Sequence, residues 1–320
     1  MAFVSVALII LLTAENHATA TTTTQPTPLA QVEALLTNGV QAIKAPGVMI
    51  PPVSSWASSS LQTGPTNLCW THVKSATTTP ACVFGSTSST KVVVLVGDSQ
   101  LWMWVPGFDL WAKNKNLKLV VFAKGSCPPW IDAQQTYFDN SPFPECRQYQ
   151  KWANAAINAL HPKLIIAAGL EPMWPKSFCT QCTPTQIDAI FKNDIQSFVN
   201  AVTPSHARIA MLAPSPSFYY GAGIQAPSCV AQNLNNLHAC NAKKIAQLGS
   251  YKWSRSYSAL AIPKGIYWVD IQQLLCVNGI CPMTAGPYLV YKDNDHITRE
   301  WAIKSAPALT PLLAAAIAGL

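Results

Sequence analysis

The chain has 320 residues, of which 49% are hydrophobic, 11 are Trp and only 11% are charged, against roughly 25% charged in an average globular protein. That composition supplies a sizeable core and excludes global disorder. The net charge is +7, yet the Lys residues are scattered and only four residues are Arg. With no basic stripe to track phosphates, nucleic acid is excluded as a partner.

Residues 2–14 form an apolar run too short to span a bilayer comfortably, and Ala18-Thr19-Ala20 follows in a small-x-small pattern. Residues 1–20 are expected to be a signal peptide or the remnant of a membrane segment. Residues 21–28 are a Thr/Pro-rich linker. Residues 29–320 form the domain, with an N-terminal extension over 29–90 and a catalytic core over 91–310. The extension opens with Val32, Leu35, Leu36, Val40 and Ile43 on one face, which predicts a helix from Leu29 to about Lys44. The Pro/Ser-rich stretch at 45–66 reads as loop.

Beyond Cys69, strands and helices alternate. Apolar runs predict strands at Lys91–Gly97, Leu117–Ala123, Leu164–Ala168, Arg208–Leu212 and Ile266–Ile271. Helical patterns fall at Glu145–Leu160, at Gln186–Val202 and near Val230–Leu260. Trp102, Trp104 and Trp111 follow the first of these strands with helical spacing and read as core. Nearly continuous apolar strands separated by helices predict a three-layer α/β/α sandwich around a roughly five-stranded parallel sheet.

Ten Cys fall as near neighbours: Cys69/Cys82, Cys127/Cys146, Cys179/Cys182, Cys229/Cys240 and Cys276/Cys281. Five local disulfides are the preferred pairing, in an oxidising, extracytoplasmic compartment. Two other readings stand beside it. Cys179, Cys182, Cys276 and Cys281 are a possible zinc set, but no His sits at ligand spacing beside either pair. Cys179 and Cys182 are a possible redox pair, but they lie in a Pro-flanked loop with no activating neighbour.

Ligands of such a sheet bind at the carboxyl ends of its strands. There Val92–Val96 runs directly into Gly97-Asp98-Ser99, which places Ser99 at the start of a helix, among free backbone N–H groups. A serine nucleophile needs a base, and the base needs an orienting acid. Of the six His, His17 lies in the signal segment, and His72, His161, His206 and His238 read as surface or structural residues. His296 differs, lying in Asp293-Asn294-Asp295-His296 after the last strand. Asp293, three residues before it, is placed to hold Nδ1, leaving Nε2 for Ser99. Asp295 is expected to point elsewhere.

Gly97-Asp98-Ser99 early with Asp293-x-x-His296 late resembles the SGNH (GDSL-type) esterase superfamily. The similarity is greater to the C-terminal SGNH domain of acyltransferase-3-type membrane proteins, which O-acylate cell-surface sugars. It extends through Val94-Leu-Val-Gly-Asp-Ser-Gln-Leu-Trp102, Gly125-Ser-Cys-Pro-Pro129, Cys146, Pro227-Ser-Cys229 with Cys240, Cys276 with Cys281, and Tyr291–Ile297. The resemblance implies a flavodoxin-like sheet with Ser99 as nucleophile, His296 as base, Asp293 as its orienter, and the N–H groups of Ser99 and Gly125 as oxyanion donors. Two departures stand out. The superfamily's Gly-x-Asn-Asp block is replaced by Gly169-Leu170-Glu171, and Gln100 stands where that branch commonly has His.

The expected activity is therefore that of a secreted or membrane-tethered serine enzyme acting on O-acyl, chiefly O-acetyl, esters of cell-surface carbohydrate. It needs no cofactor and no metal. Its partners would be a glycan acceptor and, for transfer, a separate membrane acyltransferase protein. Two other classes remain: a non-catalytic glycan-binding module, with Trp102 and Trp174 lining a groove, and a disulfide oxidoreductase.

Overall fold

The computed structural model describes residues 25–56, 63–65, 69–71, 74, 77–78, 82–130, 136–137, 141–169, 184–216, 225–243 and 263–320. The expected signal segment, the Cys179/Cys182 pair and Trp174 lie outside these residues. The first helix, α1 (Pro28–Gln41), begins where Thr27 accepts a hydrogen bond from the Ala30 N–H and Pro28 opens the first turn, both good start signals. Val32 and Leu36 are buried in the main core. Gly39, in the last turn of α1, lies so close to the Thr284 carbonyl that a Cβ there would collide with it.

The central sheet holds β1 (Val83–Gly85), β2 (Val92–Gly97), β3 (Lys118–Ala123), β4 (Leu164–Ala168), β5 (Arg208–Leu212) and β6 (Ile266–Val269). Their order is β1-β3-β2-β4-β5-β6. Five strands are parallel, and β1 pairs antiparallel on the β3 edge. The sheet therefore has one strand more than the five read from sequence. At three residues, β1 is too short to carry a periodic signal.

Successive residues point to opposite faces of a strand, and both faces here are buried. Val93 and Leu95 belong to the core beneath α1, α3 (Val105–Asn114) and α7 (Arg299–Ser305). Val94 and Val96 belong to the core under α4 (Pro144–Leu160) and α5 (Pro184–Val202). This is the physical origin of the unbroken apolar runs.

The predicted helix near Val230–Leu260 is not continuous in its described part. Instead α6 (Ala226–Gln232) ends at Asn233, and a 3-10 turn covers Leu237–Cys240. Residues beyond 243 in that segment lie outside the described set. Disulfides join Cys69–Cys82, Cys127–Cys146, Cys229–Cys240 and Cys276–Cys281. These are four of the five expected pairs, and they fit an extracytoplasmic protein. Among the described residues no helix is long and apolar enough to cross a membrane.

Candidate active site

From β2 the chain moves outward to β3 and then crosses back to β4 on the other side of β2. The crevice of an open parallel sheet forms at this kind of reversal, outside the carboxyl end of the strand. Gly97, the last residue of β2, pairs with Ala123 and Ala168. Its φ is unremarkable. Glycine is required because a Cβ would collide with the Ala168 carbonyl and press on Leu101.

Asp98 caps the short helix α2 (Ser99–Trp102), its carboxylate accepting from the Gln100 N–H at 2.8 Å. Ser99 is the first residue of that helix, so its N–H has no intrahelical acceptor. Pro106 lies in the first turn of α3, and the chain breaks between the two helices around Met103 and Trp104. Trp102, Trp104 and Trp111 are buried, as read. Trp102 also packs on Trp70, with ring centroids 5.4 Å apart.

The histidine loop is closed on itself. Tyr291 bridges to Ile297, and the Lys292 N–H donates to the His296 carbonyl at 2.9 Å. One Asp293 carboxylate oxygen accepts from the backbone N–H groups of Asp295 (3.0 Å) and His296 (2.8 Å). That folds the turn and brings the carboxylate to the imidazole, with Nδ1 at 3.1 and 3.0 Å from its two oxygens. A proton on Nδ1 is thereby held in place, and Nε2 becomes the basic nitrogen. Nε2 is buried and without a hydrogen-bond partner among the described residues.

Residues on either side of His296 dock on the helix that Ser99 begins. Gln100 Nε2 donates to the Asp295 carbonyl at 3.1 Å, and the Ile297 N–H donates to Met103 Sδ at 3.3 Å. From the extension, Thr63 Oγ1 donates to the Ile297 carbonyl at 2.9 Å. His296 and Ser99 thus share one neighbourhood, although no hydrogen bond joins them.

Two expectations change. Asp295 does not point away: its carboxylate lies 2.9 Å from His296 Nδ1, as a second acceptor. Gly125 does not offer a free donor, because its N–H is bound to the Thr71 carbonyl at 3.0 Å. No acceptor among the described residues takes the Ser99 N–H. Two residues that sequence reasoning missed, Asp295 and Gln100, complete the arrangement. A polar Gln directly after Ser99, in an otherwise apolar Leu-Trp turn, is the sequence signal that could have found the second.

Burial is the largest single influence on His296 and favours its neutral form. The hydrogen bonds and charges of Asp293 and Asp295 together outweigh it and raise the imidazole to about 10. Burial likewise works to raise the Asp293 carboxyl. Its bonds to the His296 ring and to two backbone N–H groups nevertheless hold it well below the usual carboxylate range. Asp293, Asp295 and His296 offer ligand atoms within 4.8 Å of one another. A cation held there would displace the Nδ1 proton that the carboxylates bind, so the cluster is read as a hydrogen-bonded pair of acids on a base.

The other histidines are structural or exposed where described. His161 and His206 end a helix and a 3-10 turn in the left-handed conformation, and exposed His238 bonds to the Gln41 carbonyl. His72 lies outside the described residues.

Residues 68–311 match the family described as SGNH domain (fused to AT3 domains). The chain belongs to the SGNH family. This SGNH domain is similar in fold to the lipopolysaccharide acetyltransferase periplasmic domain of Salmonella ser. Paratyphi A, at 13% identity and TM-score 0.50, covering 72% of this chain and 85% of that one. A GDSL-like lipase from Bacteroides thetaiotaomicron matches at 13% identity and TM-score 0.38, over 71% of this chain and 89% of that one. A putative acylhydrolase from Bacteroides fragilis matches at 14% and 0.37, over 82% and 93%. No curated protein matches the sequence. The SGNH assignment makes this a member of an acyl esterase and acyltransferase family.

Proposed function

We propose that the domain is a serine enzyme acting on O-acetyl esters of cell-envelope carbohydrate, outside the cytoplasm, with Ser99, His296 and Asp293 as its triad. The observation that carries this reading is His296. Its Nδ1 is anchored to carboxylate, its Nε2 is buried with no hydrogen-bond partner among the described residues, and both its neighbours are tied to the helix that opens with Ser99.

Ser99 Oγ attacks the ester carbonyl carbon as Nε2 takes its proton. The oxyanion forms beside the Ser99 N–H, where preorganised donors act most strongly. The C–O bond to the sugar then breaks, and the departing oxygen takes the proton back from Nε2. Water or a second sugar hydroxyl next attacks the acetyl-serine, giving its proton to Nε2, and Ser99 leaves reprotonated. Exclusion of water decides between hydrolysis and transfer. For transfer, a separate membrane acyltransferase protein supplies the acetyl group. From the extension over residues 29–90, Thr63 ties down the histidine loop of the core over 91–310.

The test is p-nitrophenyl acetate hydrolysis by wild type and Ser99→Ala. Activity that falls to the uncatalysed rate in the variant supports the reading. Equal activity in both proteins overturns it.

A further inference from the structure

We propose that Gln100 is a positioning residue, whose side-chain amide sets the placement of the His296 loop against the helix that carries Ser99. The inference rests on the reading of Ser99 and His296 as nucleophile and base.

Gln100 is 2% exposed, and a buried amide must satisfy both of its ends. Its Nε2 donates to the Asp295 carbonyl, 195 residues away, at 3.1 Å. Its Oε1 accepts from the Ser215 N–H at 3.3 Å. Both partners are backbone groups in loops at the carboxyl edge of the sheet: Ser215 follows β5, and Asp295 immediately precedes His296. One side chain, next to the nucleophile, therefore joins three separate segments of the crevice.

The other ties to the histidine loop do not replace it. On the far flank, the Ile297 N–H donates to the sulfur of Met103, the C-cap of α2, a weak acceptor. The Thr63 bond holds the loop to the extension and not to Ser99. Asp293 orients the ring but belongs to the same loop, so it moves with it. Gln100 is the described side chain on α2 that donates a conventional hydrogen bond to the base-bearing loop. Misplacement by about 1 Å in such a site can cost about a hundredfold in rate.

The test compares Gln100→Met and Gln100→Glu with wild type and Ser99→Ala, using p-nitrophenyl acetate turnover. Labelling of Ser99 by a fluorophosphonate probe and thermal melting accompany it. Met keeps length and volume but loses both bonds. Glu keeps the acceptor for Ser215 and, assayed at a pH where it is ionised, loses the donor to Asp295. Both variants are expected to melt within about 5 °C of wild type. In each, kcat falls at least tenfold with KM within about twofold, probe labelling slows in parallel, and the ascending limb of the pH–rate profile, which His296 sets, shifts. A purely structural role moves melting without that kinetic pattern.

Full kcat in either folded variant overturns the proposal, as does a change confined to KM. If Gln100→Met does not fold, Gln100→Glu decides alone. If neither folds, Gln100 is a core-stability residue and the proposal falls. An active Ser99→Ala instead removes the underlying reading, whatever the Gln100 variants do.

Discussion

Two carboxylates on one imidazole nitrogen make a quantitative prediction for Asp293→Asn, Asp295→Asn and the double variant. Asp293 meets Nδ1 with both oxygens and also accepts two backbone N–H groups, whereas Asp295 offers one oxygen at 2.9 Å. Asn at 293 keeps a carbonyl for the backbone donors, so the loop is retained while the charge is lost. A hydrogen bond to a charged group contributes about 1.5–3 kcal/mol, and about 1.4 kcal/mol is a tenfold change in rate. A serine triad with one orienting carboxylate loses about 10⁴ in kcat when that Asp becomes Asn. Here Asp295 still orients the proton, so Asp293→Asn is expected to lower kcat/KM by about 10²-fold. By the same reckoning, Asp295→Asn lowers it about tenfold and the double variant about 10⁴-fold. The double loss exceeds the product of the singles because each acid covers for the other. Steady-state hydrolysis of p-nitrophenyl acetate, with melting curves to confirm folding, measures all three. A larger loss from Asp295→Asn than from Asp293→Asn refutes the ranking. A double variant no worse than Asp293→Asn refutes the sharing.

Four further outcomes are expected. Because the base must be neutral to accept a proton and His296 is raised to about 10, kcat/KM should climb with pH through the neutral range; a plateau reached by pH 7 contradicts this. The same raised value implies stabilisation that is complete below about pH 6.5 and lost as pH rises through about 10. Wild-type Tm should therefore fall relative to His296→Gln between those values. Gly39→Ala should destabilise the protein even though Ala is better than Gly in a helix by about 1 kcal/mol, because the new Cβ would collide with the Thr284 carbonyl; a raised Tm refutes the docking of α1. Opening the Cys127–Cys146 loop of 19 residues by Cys146→Ala should cost about 3 kcal/mol, read by denaturant titration.

The periodic and local features were legible in the sequence. The five parallel strands appear as continuous apolar runs because both sheet faces are covered, so every residue, not every second one, meets a core. Asp293 and His296 were readable as a pair because a carboxylate that caps its own turn reaches a ring three residues on, with no help from the rest of the fold. The disulfides described span 5 to 19 residues, short enough for spacing alone to suggest the partners.

The rest depended on where distant segments meet. Adjacency in sequence argued that Asp295 points away from the His296 ring, but closure of the 291–297 loop turns its carboxylate toward Nδ1. Gly125 sits where an oxyanion donor was expected, and only the passage of Thr71 alongside it consumes its N–H. Gly97 is required by the neighbouring strand and not by its own φ. Gln100 acquires its meaning from Asp295 and Ser215, which lie 195 and 115 residues away. Contacts of that range leave no period or spacing in the chain. They arise only when the strands assemble in the order β3-β2-β4-β5 and bring their carboxyl ends, with the loops they carry, to one edge of the sheet.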